Sequence, residues 1–225
     1  HIDNLVDKLK SLGDLDIIED PKEKSLFKII HKYDVIYTNP NKSNIYIGTD
    51  LINKATKLKF ICTASTGTNH IDKEYAKKKK IKIISLTTDM NTIRKISSTA
   101  ELAFALTLCA LRNIIPSFNS VKRGEWDYTK FIGRQMNYLT IGVVGYGRLG
   151  TKYIKYCKSF GAKILVYDPY KNINSNQIVK VNSFKKLLKN SDIISFHVHL
   201  NKETYHMINK KNISSLNKNI IIINT

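Results

Sequence analysis

Cysteine is scarce in this chain. Cys62, Cys109 and Cys157 stand far apart and in odd number. That argues against a disulfide framework and a zinc site, and it fits a reducing cytoplasm. Long apolar runs are absent, and none approaches the ~20 residues of a membrane span, so neither a transmembrane helix nor a membrane partner is expected. The opening His1-Ile2-Asp3-Asn4 lacks a basic-then-apolar signal segment, so secretion is not expected. Acidic residues are few, 18 against 37 Lys and Arg, giving a formal net charge of +19. Arginine is scarcer still: only Arg94, Arg112, Arg123, Arg134 and Arg148 stand among 32 lysines. A basic surface suggests nucleic acid, and such a module would bind with steep salt dependence. Arg is the residue suited to bidentate phosphate and base recognition, however, and these lysines are spread along the whole chain. The balance reads as solvation, and no specific nucleic-acid partner is expected.

What is present is a globular composition. Of the 225 residues, 42% are hydrophobic and 24% charged, enough to bury a core in one large or two small domains. The pattern alternates strands with helices. Apolar positions at 5, 6, 9 and 12 predict a helix over 3–12, closed by Gly13, and Leu15–Ile18 reads as a short strand. A helix over 25–31, a strand over 34–37 and the turn cluster Asn39-Pro40-Asn41 follow. Helix 51–57, strand 60–64, helix 71–79 and strand 81–84 complete a first block, with Lys80 where Gly would end a helix more easily. This βα alternation implies an α/β fold with a parallel sheet. Because the chain opens on a helix, a strand preceding it is expected.

The run over 97–113 is apolar on most sides and predicts a long buried helix with Ser97 or Ser98 as N-cap. A polar connector carrying Gly124, Trp126 and Gly133 follows. The second block then reads as strand 140–144, helix 149–160, strand 163–167, helix 184–189, strand 192–197, helix 210–216 and strand 219–223, about four strands in all.

One motif carries chemistry. Gly145-Tyr146-Gly147-Arg148-Leu149-Gly150 fits G-x-G-x-x-G, follows an apolar strand and opens an amphipathic helix. Gly145 permits the tight turn, Gly147 lets backbone approach a pyrophosphate, and Gly150 lets the helix pack closely. The helix N-terminus then holds the phosphate charge. Asp168 stands 18 residues beyond Gly150, where an acid grips the ribose hydroxyls and repels a 2′-phosphate. NAD is therefore expected over NADP, with Lys171 as a counter-signal. His197 and His199 form a His-x-His pair, but no acid or cysteine cluster accompanies them, so no metal is expected.

These residues carry a wider resemblance. Ser65 to Asp72 (STGTNHID), Thr99 to Leu102, Ile141 to Gly150, Tyr167 to Tyr170, Ser191 to His197, Glu203-Thr204 and Ile223-Asn224-Thr225 together resemble the D-isomer-specific 2-hydroxyacid dehydrogenases. The GTN-x-ID string is most similar to the phosphoglycerate dehydrogenase branch. The resemblance implies a flavodoxin-like substrate lobe over 1–95, lacking its first strand and C-terminal return. A Rossmann doubly wound lobe over 96–225 would bind NAD and be incomplete at its C-terminus. It implies substrate-carboxylate binding by Thr66, Gly67, Thr68 and Asn69, with Thr66 also near the nicotinamide. Arg148 and Leu149 would offer backbone to the pyrophosphate, His197 and Val198 would line the adenine side, and Thr225 would approach the nicotinamide ribose.

The implied activity is NAD-dependent interconversion of a D-2-hydroxy acid and its 2-oxo acid, with 3-phosphoglycerate, glycerate and glyoxylate types open. The family's catalytic Arg, Glu and His would fall beyond Thr225, so no catalytic residue is assigned within these 225 residues. Asn39 and Asn41 stand where some relatives present a substrate-binding Arg. The resemblance also implies a homodimer built on the long helix. A non-enzymatic NAD-sensing protein on the same scaffold stays open as the alternative.

Overall fold

The structure, a computed structural model, describes residues 4–40 and 44–225. Asp3 and Asn41, which figure in two of the expectations above, lie outside the described residues. The chain divides into two compact units, His1–Ile93 and Arg94–Thr225.

The first unit opens with helices α1 (Leu5–Lys10) and α2 (Glu23–Ile29). Strand β1 (Val35–Thr38), helix α3 (Thr49–Lys54), strand β2 (Phe60–Thr63), helix α4 (Lys73–Lys78) and strand β3 (Lys82–Ser85) then alternate, followed by α5 (Met90–Lys95), which crosses into the second unit. The strands form a parallel sheet in the order β1-β2-β3. Ile30, Ile47, Leu51, Ile52, Ile61, Ile71 and Ala76 form its buried core. Leu15–Ile18 is not a strand. Ile17 and Ile18 are exposed, and no neighbouring strand among the described residues offers them a ladder. An alternating apolar run without an edge to pair has nowhere to bury its face. Helix α4 ends as its sequence suggests. Lys80 takes φ +59°, while Lys80 N–H donates to Lys77 O (2.9 Å) and Ile81 N–H to Ala76 O (2.8 Å). This is a Schellman cap with lysine in the left-handed position that glycine fills most easily.

The second unit begins its main run with α6 (Ser98–Leu111) and α7 (Ile114–Lys122), broken at Asn113 with φ +52°. Neither expectation for α6 holds fully. It buries only the face carrying Ala100, Ala103, Thr107 and Leu111, and leaves Leu102 and Leu106 exposed. Ser97 stands at the N-cap position as expected, but its hydroxyl takes no backbone N–H and donates instead to the Glu101 carboxylate. A sequence apolar all round cannot say which face packs; α8 and the last strand decide it. Helix α7 lies in the first part of what the sequence presents as a connector.

Strand β4 (Thr140–Val144), helix α8 (Arg148–Ser159), strands β5 (Lys163–Tyr167) and β6 (Val179–Lys180), helix α9 (Phe184–Asn190) and strands β7 (Ile193–Phe196) and β8 (Ile221–Asn224) follow. They form a five-stranded parallel sheet in the order β6-β5-β4-β7-β8. Counting from β4, that is 3-2-1-4-5, the order of the doubly wound dinucleotide-binding sheet. The sheet has one strand more than the sequence suggests, since the two-residue β6 is too short for a periodic signal. Buried Ile141, Val143, Tyr153, Ile154, Cys157, Val166 and Ile193 belong to one hydrophobic cluster. Val144, Leu187, Leu188 and Ile194 belong to a second cluster with α9. The expected helix over 210–216 is only a short 3₁₀ turn, Ile213–Ser215. Asparagine side chains satisfy the backbone there instead: Asn212 Oδ1 accepts from Asn209 N–H (3.0 Å) and Asn209 Oδ1 from Lys211 N–H (3.0 Å). Among the described residues no single helix is long and apolar enough to cross a membrane.

Candidate functional site

The second sheet sets the site. Val144 is in register with Tyr167 on one side and Phe196 on the other, so β4, β5 and β7 end level. The chain leaving β4 turns into the glycine loop between two flanking strand ends, the switch point at which open α/β sheets bind ligands. The three glycines have three different reasons. Gly145 holds φ +95°, and a Cβ there would stand 2.6 Å from His197 O. A Cβ at Gly150 would stand 2.1 Å from Gly145 O, so the first turn of α8 packs directly on the loop. A Cβ at Gly147 would meet nothing within 4 Å. Gly147 therefore faces open space at the start of the helix, where an approaching pyrophosphate would need the room.

Gly147 is also the N-cap of α8, with no side-chain cap. The first intrahelical bond runs from Thr151 N–H to Gly147 O (2.9 Å), so helix geometry leaves the N–H groups of Arg148, Leu149 and Gly150 without an i−4 partner. Unsatisfied donors at a helix N-terminus form an anion site. The Arg148 guanidinium does not point charge at it; its side chain donates to Ile96 O, just before α6.

Asp168 ends β5 beside this loop. Its Oδ2 accepts from Tyr146 N–H (2.8 Å), and Oδ1 accepts from Tyr170 N–H (2.9 Å) and Lys171 N–H (3.1 Å). A carboxylate has about four lone-pair positions, so about one remains for a ligand hydroxyl. The acid expected to grip a ribose thus also ties the glycine loop to the β5 end.

On the opposite side, His197 follows β7 and is largely buried. Two hydrogen-bonded groups meet beneath the loop. Thr107 Oγ1 donates to Ala103 O (2.8 Å), so the Tyr153 hydroxyl donates to Thr107 (2.7 Å), and the Tyr153 ring packs against His197 with centroids 4.9 Å apart. Ser195 Oγ and His197 Nε2 share a hydrogen bond (2.9 Å), and Nδ1 is buried without a partner among the described residues. Burial pushes the His197 pKa down to about 4. It raises the Tyr153 hydroxyl and pushes the Cys157 thiol up to about 12. Those groups stay neutral at pH 7. The Tyr153–Thr107 and Ser195–His197 bonds were not visible in the sequence, where Tyr153 and Ser195 look like ordinary helix and strand positions.

The structure brings Gly145, Gly147, Arg148, Leu149, Gly150, Asp168, His197 and Val198 together at the C-terminal edge of this sheet. Thr225 stands just past β8 on the same edge. Thr66, Gly67, Thr68 and Asn69 belong to the other unit, in the loop after β2. That loop is held by hydroxyls the sequence reading missed: Thr63 Oγ1 meets Ser65 Oγ (2.8 Å), and Ser65 Oγ donates to Gly67 O (2.6 Å). Among the described residues no acceptor takes the N–H groups of Thr66, Gly67, Thr68 and Asn69. The next residue, His70, has its Nε2 buried without a partner among the described residues, and burial lowers its pKa.

A 3-2-1-4-5 parallel sheet with a glycine loop, an open helix N-terminus and an acid at the next strand end defines a dinucleotide-binding domain of the Rossmann type. Residues 104–225 match the model of the D-isomer specific 2-hydroxyacid dehydrogenase NAD binding domain. The chain belongs to that family. It is 36% identical over 219 residues to D-3-phosphoglycerate dehydrogenase of Methanocaldococcus jannaschii, covering 96% of this chain and 40% of that one. It is 32% identical over 231 residues to hydroxypyruvate reductase of Thermotoga maritima, covering 100% of this chain and 72% of the relative. Among solved structures, D-lactate dehydrogenase from Aquifex aeolicus, complexed with NAD and lactic acid, superposes with a TM-score of 0.81 at 29% identity, over 99% of this chain and 66% of that one. NAD-dependent formate dehydrogenase from Staphylococcus aureus, in complex with NAD, gives 0.87 at 28% identity over the same shares. The chain thus spans less than half the length of the phosphoglycerate dehydrogenase it matches.

Proposed function

We propose that this chain serves an NAD-dependent oxidoreductase that interconverts a D-2-hydroxy acid and its 2-oxo acid, with residues 1–95 as substrate lobe and 96–225 as cofactor lobe. The observation that carries the reading is the open Gly147 face at the uncapped N-terminus of α8, with Asp168 beside it. The N–H groups of Arg148, Leu149 and Gly150 hold the pyrophosphate, and Asp168 takes a ribose hydroxyl. Its charge disfavours a 2′-phosphate, which supports NAD over NADP. His197 and Val198 wall the adenine side and Thr225 stands toward the nicotinamide ribose. Bound NADH supplies the hydride for C2 of the oxo acid. The N–H groups of Thr66 to Asn69 bind and orient the substrate carboxylate, and Thr66 also serves the nicotinamide, as the family resemblance implies. Glyoxylate, hydroxypyruvate and phosphohydroxypyruvate are the substrates to try.

We further propose a homodimer. Exposed Leu102 and Leu106 on α6, Ile115, Phe118 and Val121 on α7, and Trp126 at 93% exposure support it, since large apolar side chains left open to water are what a partner surface covers. A second copy of the chain is the proposed occupant, and α6 is the long helix the family resemblance points to. Three free cysteines support a cytoplasmic setting. The lysine-dominated charge supports solvation, and we assign no specific nucleic-acid or membrane partner.

The test is NADH titration followed by turnover of the three oxo acids by the full-length protein. Saturable NADH binding with turnover of at least one acid is expected. NADH binding without turnover of any 2-oxo acid would favour the NAD-sensing alternative, and absence of both would overturn the proposal.

A further inference from the structure

We propose that Tyr170 and Glu203 are further residues of the cofactor site, forming a strap across its adenosine end. The proposal rests on the cofactor reading above. Tyr170 lies three residues past the end of β5, and Glu203 lies seven past the end of β7. Its phenol donates a hydrogen bond to Glu203 Oε2. β5 and β7 flank β4 on opposite sides, so their backbones are about 10 Å apart at ~4.8 Å per strand spacing. A link between segments past those two strands must pass over the point where β4 gives way to the glycine loop. That is the mouth of the switch-point crevice.

Both ends of the strap are held in place before any ligand arrives. On the β5 side, Asp168 Oδ1 accepts the N–H groups of Tyr170 and Lys171, which sets the direction in which Tyr170 leaves the sheet. On the β7 side, Asn201 Oδ1 accepts from Glu203 N–H (2.8 Å) and Thr204 N–H (2.9 Å), while Thr204 Oγ1 donates to His199 O (2.6 Å). This is a self-bonded turn that presents Glu203 outward. The Glu203 carboxylate raises the Tyr170 pKa, so the phenol stays a donor. Neither side chain packs into the core: Tyr170 is 73% exposed, and Glu203 is exposed as well.

The strap also shares a residue with the ribose site. Asp168 holds Tyr170 through Oδ1 and keeps about one lone pair for a ribose hydroxyl, so the strap stays anchored while adenosine is seated. The hydrogen bond is a barrier to both entry and exit of the adenosine half, rather than a determinant of affinity.

Stopped-flow NADH binding to the unaltered protein, Tyr170→Phe, Glu203→Gln and the double variant tests this, with melting temperature as the control for folding. Association and dissociation rates should both rise about fivefold in each single variant, the factor set by one exposed hydrogen bond. The double variant should match the singles, because all three lose the same interaction. Displacement by ADP-ribose should show the same acceleration. NADH binding with unchanged rates, or a change in affinity carried by dissociation alone, would overturn the strap and leave the cofactor reading standing. No NADH binding by the unaltered protein would overturn the cofactor reading and the strap with it.

Discussion

Two loops leave the C-terminal ends of parallel strands in this molecule, and they expose backbone N–H groups by different means. The loop after β4 relies on covalent geometry: glycine at a positive φ, glycine where the helix touches the loop, and glycine where the face is open. The loop after β2 has only Gly67, and it relies on hydroxyls, with Thr63 and Ser65 holding the Gly67 carbonyl. A loop fixed by missing side chains fails abruptly when a carbon is added. A loop fixed by hydrogen bonds fails gradually when a bond is removed, by about 1 kcal/mol each. In the proposed function, the first design serves a phosphate that must approach backbone closely, and the second a substrate carboxylate.

The sharpest way to break this comparison is to add one methyl at two glycines. Gly150→Ala sets a carbon against Gly145 O and should destabilise the second unit by about 3 kcal/mol, with NADH binding lost. Gly147→Ala meets nothing within 4 Å, so its unfolding free energy should stay within about 0.5 kcal/mol of the parent while NADH affinity falls at least tenfold. Equal NADH affinity in Gly147→Ala would mean that no phosphate sits there.

A second effect of similar size comes from His197 beneath the loop. Its folded pKa of about 4 lies below the ~6.5 of an unfolded histidine. The unfolded chain therefore binds a proton first, and stability falls as pH drops from about 6.5 to 4, by up to ~3 kcal/mol. Above pH 7 the contribution is level. Urea unfolding against pH should show this slope, and His197→Gln should flatten it. Asp168→Asn comes next: without its charge, NADH affinity should fall about tenfold and the preference over NADPH should shrink. On the β2 side, Ser65→Ala should raise the KM for the oxo acid several-fold and leave NADH binding unchanged. The smallest change is a gain. Lys80→Gly relieves a left-handed lysine and should stabilise the first unit by about 1 kcal/mol in thermal unfolding.

Much of the site was legible because it is local. Strand β4, the glycine turn, α8 and Asp168 fall within 29 residues, and each glycine sits where a fixed pattern requires one. Elements that depend on a distant partner were not. Leu15–Ile18 has a strand's alternation but no ladder to join, and β6 is a strand only because β5 lies beside it. Helix α6 is apolar on every side, so its buried face is chosen by packing. The asparagines at 209 and 212 dissolve a helix whose apolar spacing looks sound. Contacts such as Tyr153 with Thr107, 46 residues apart, leave no periodic trace. The sequence marks where a cofactor's charge can be held, whereas the bonds that hold the loops in place become visible only when the chain is folded.

Amide hydrogen exchange with and without NADH tests the central claim most directly. Binding at the glycine loop should slow exchange at Arg148, Leu149 and Gly150, the helix N-terminal donors that lack an intrahelical acceptor, and should perturb Tyr146, Tyr170 and Lys171 through Asp168. NADH binding that leaves 145–150 unprotected, or protects another face of the sheet instead, would contradict the assignment of this edge as the cofactor site.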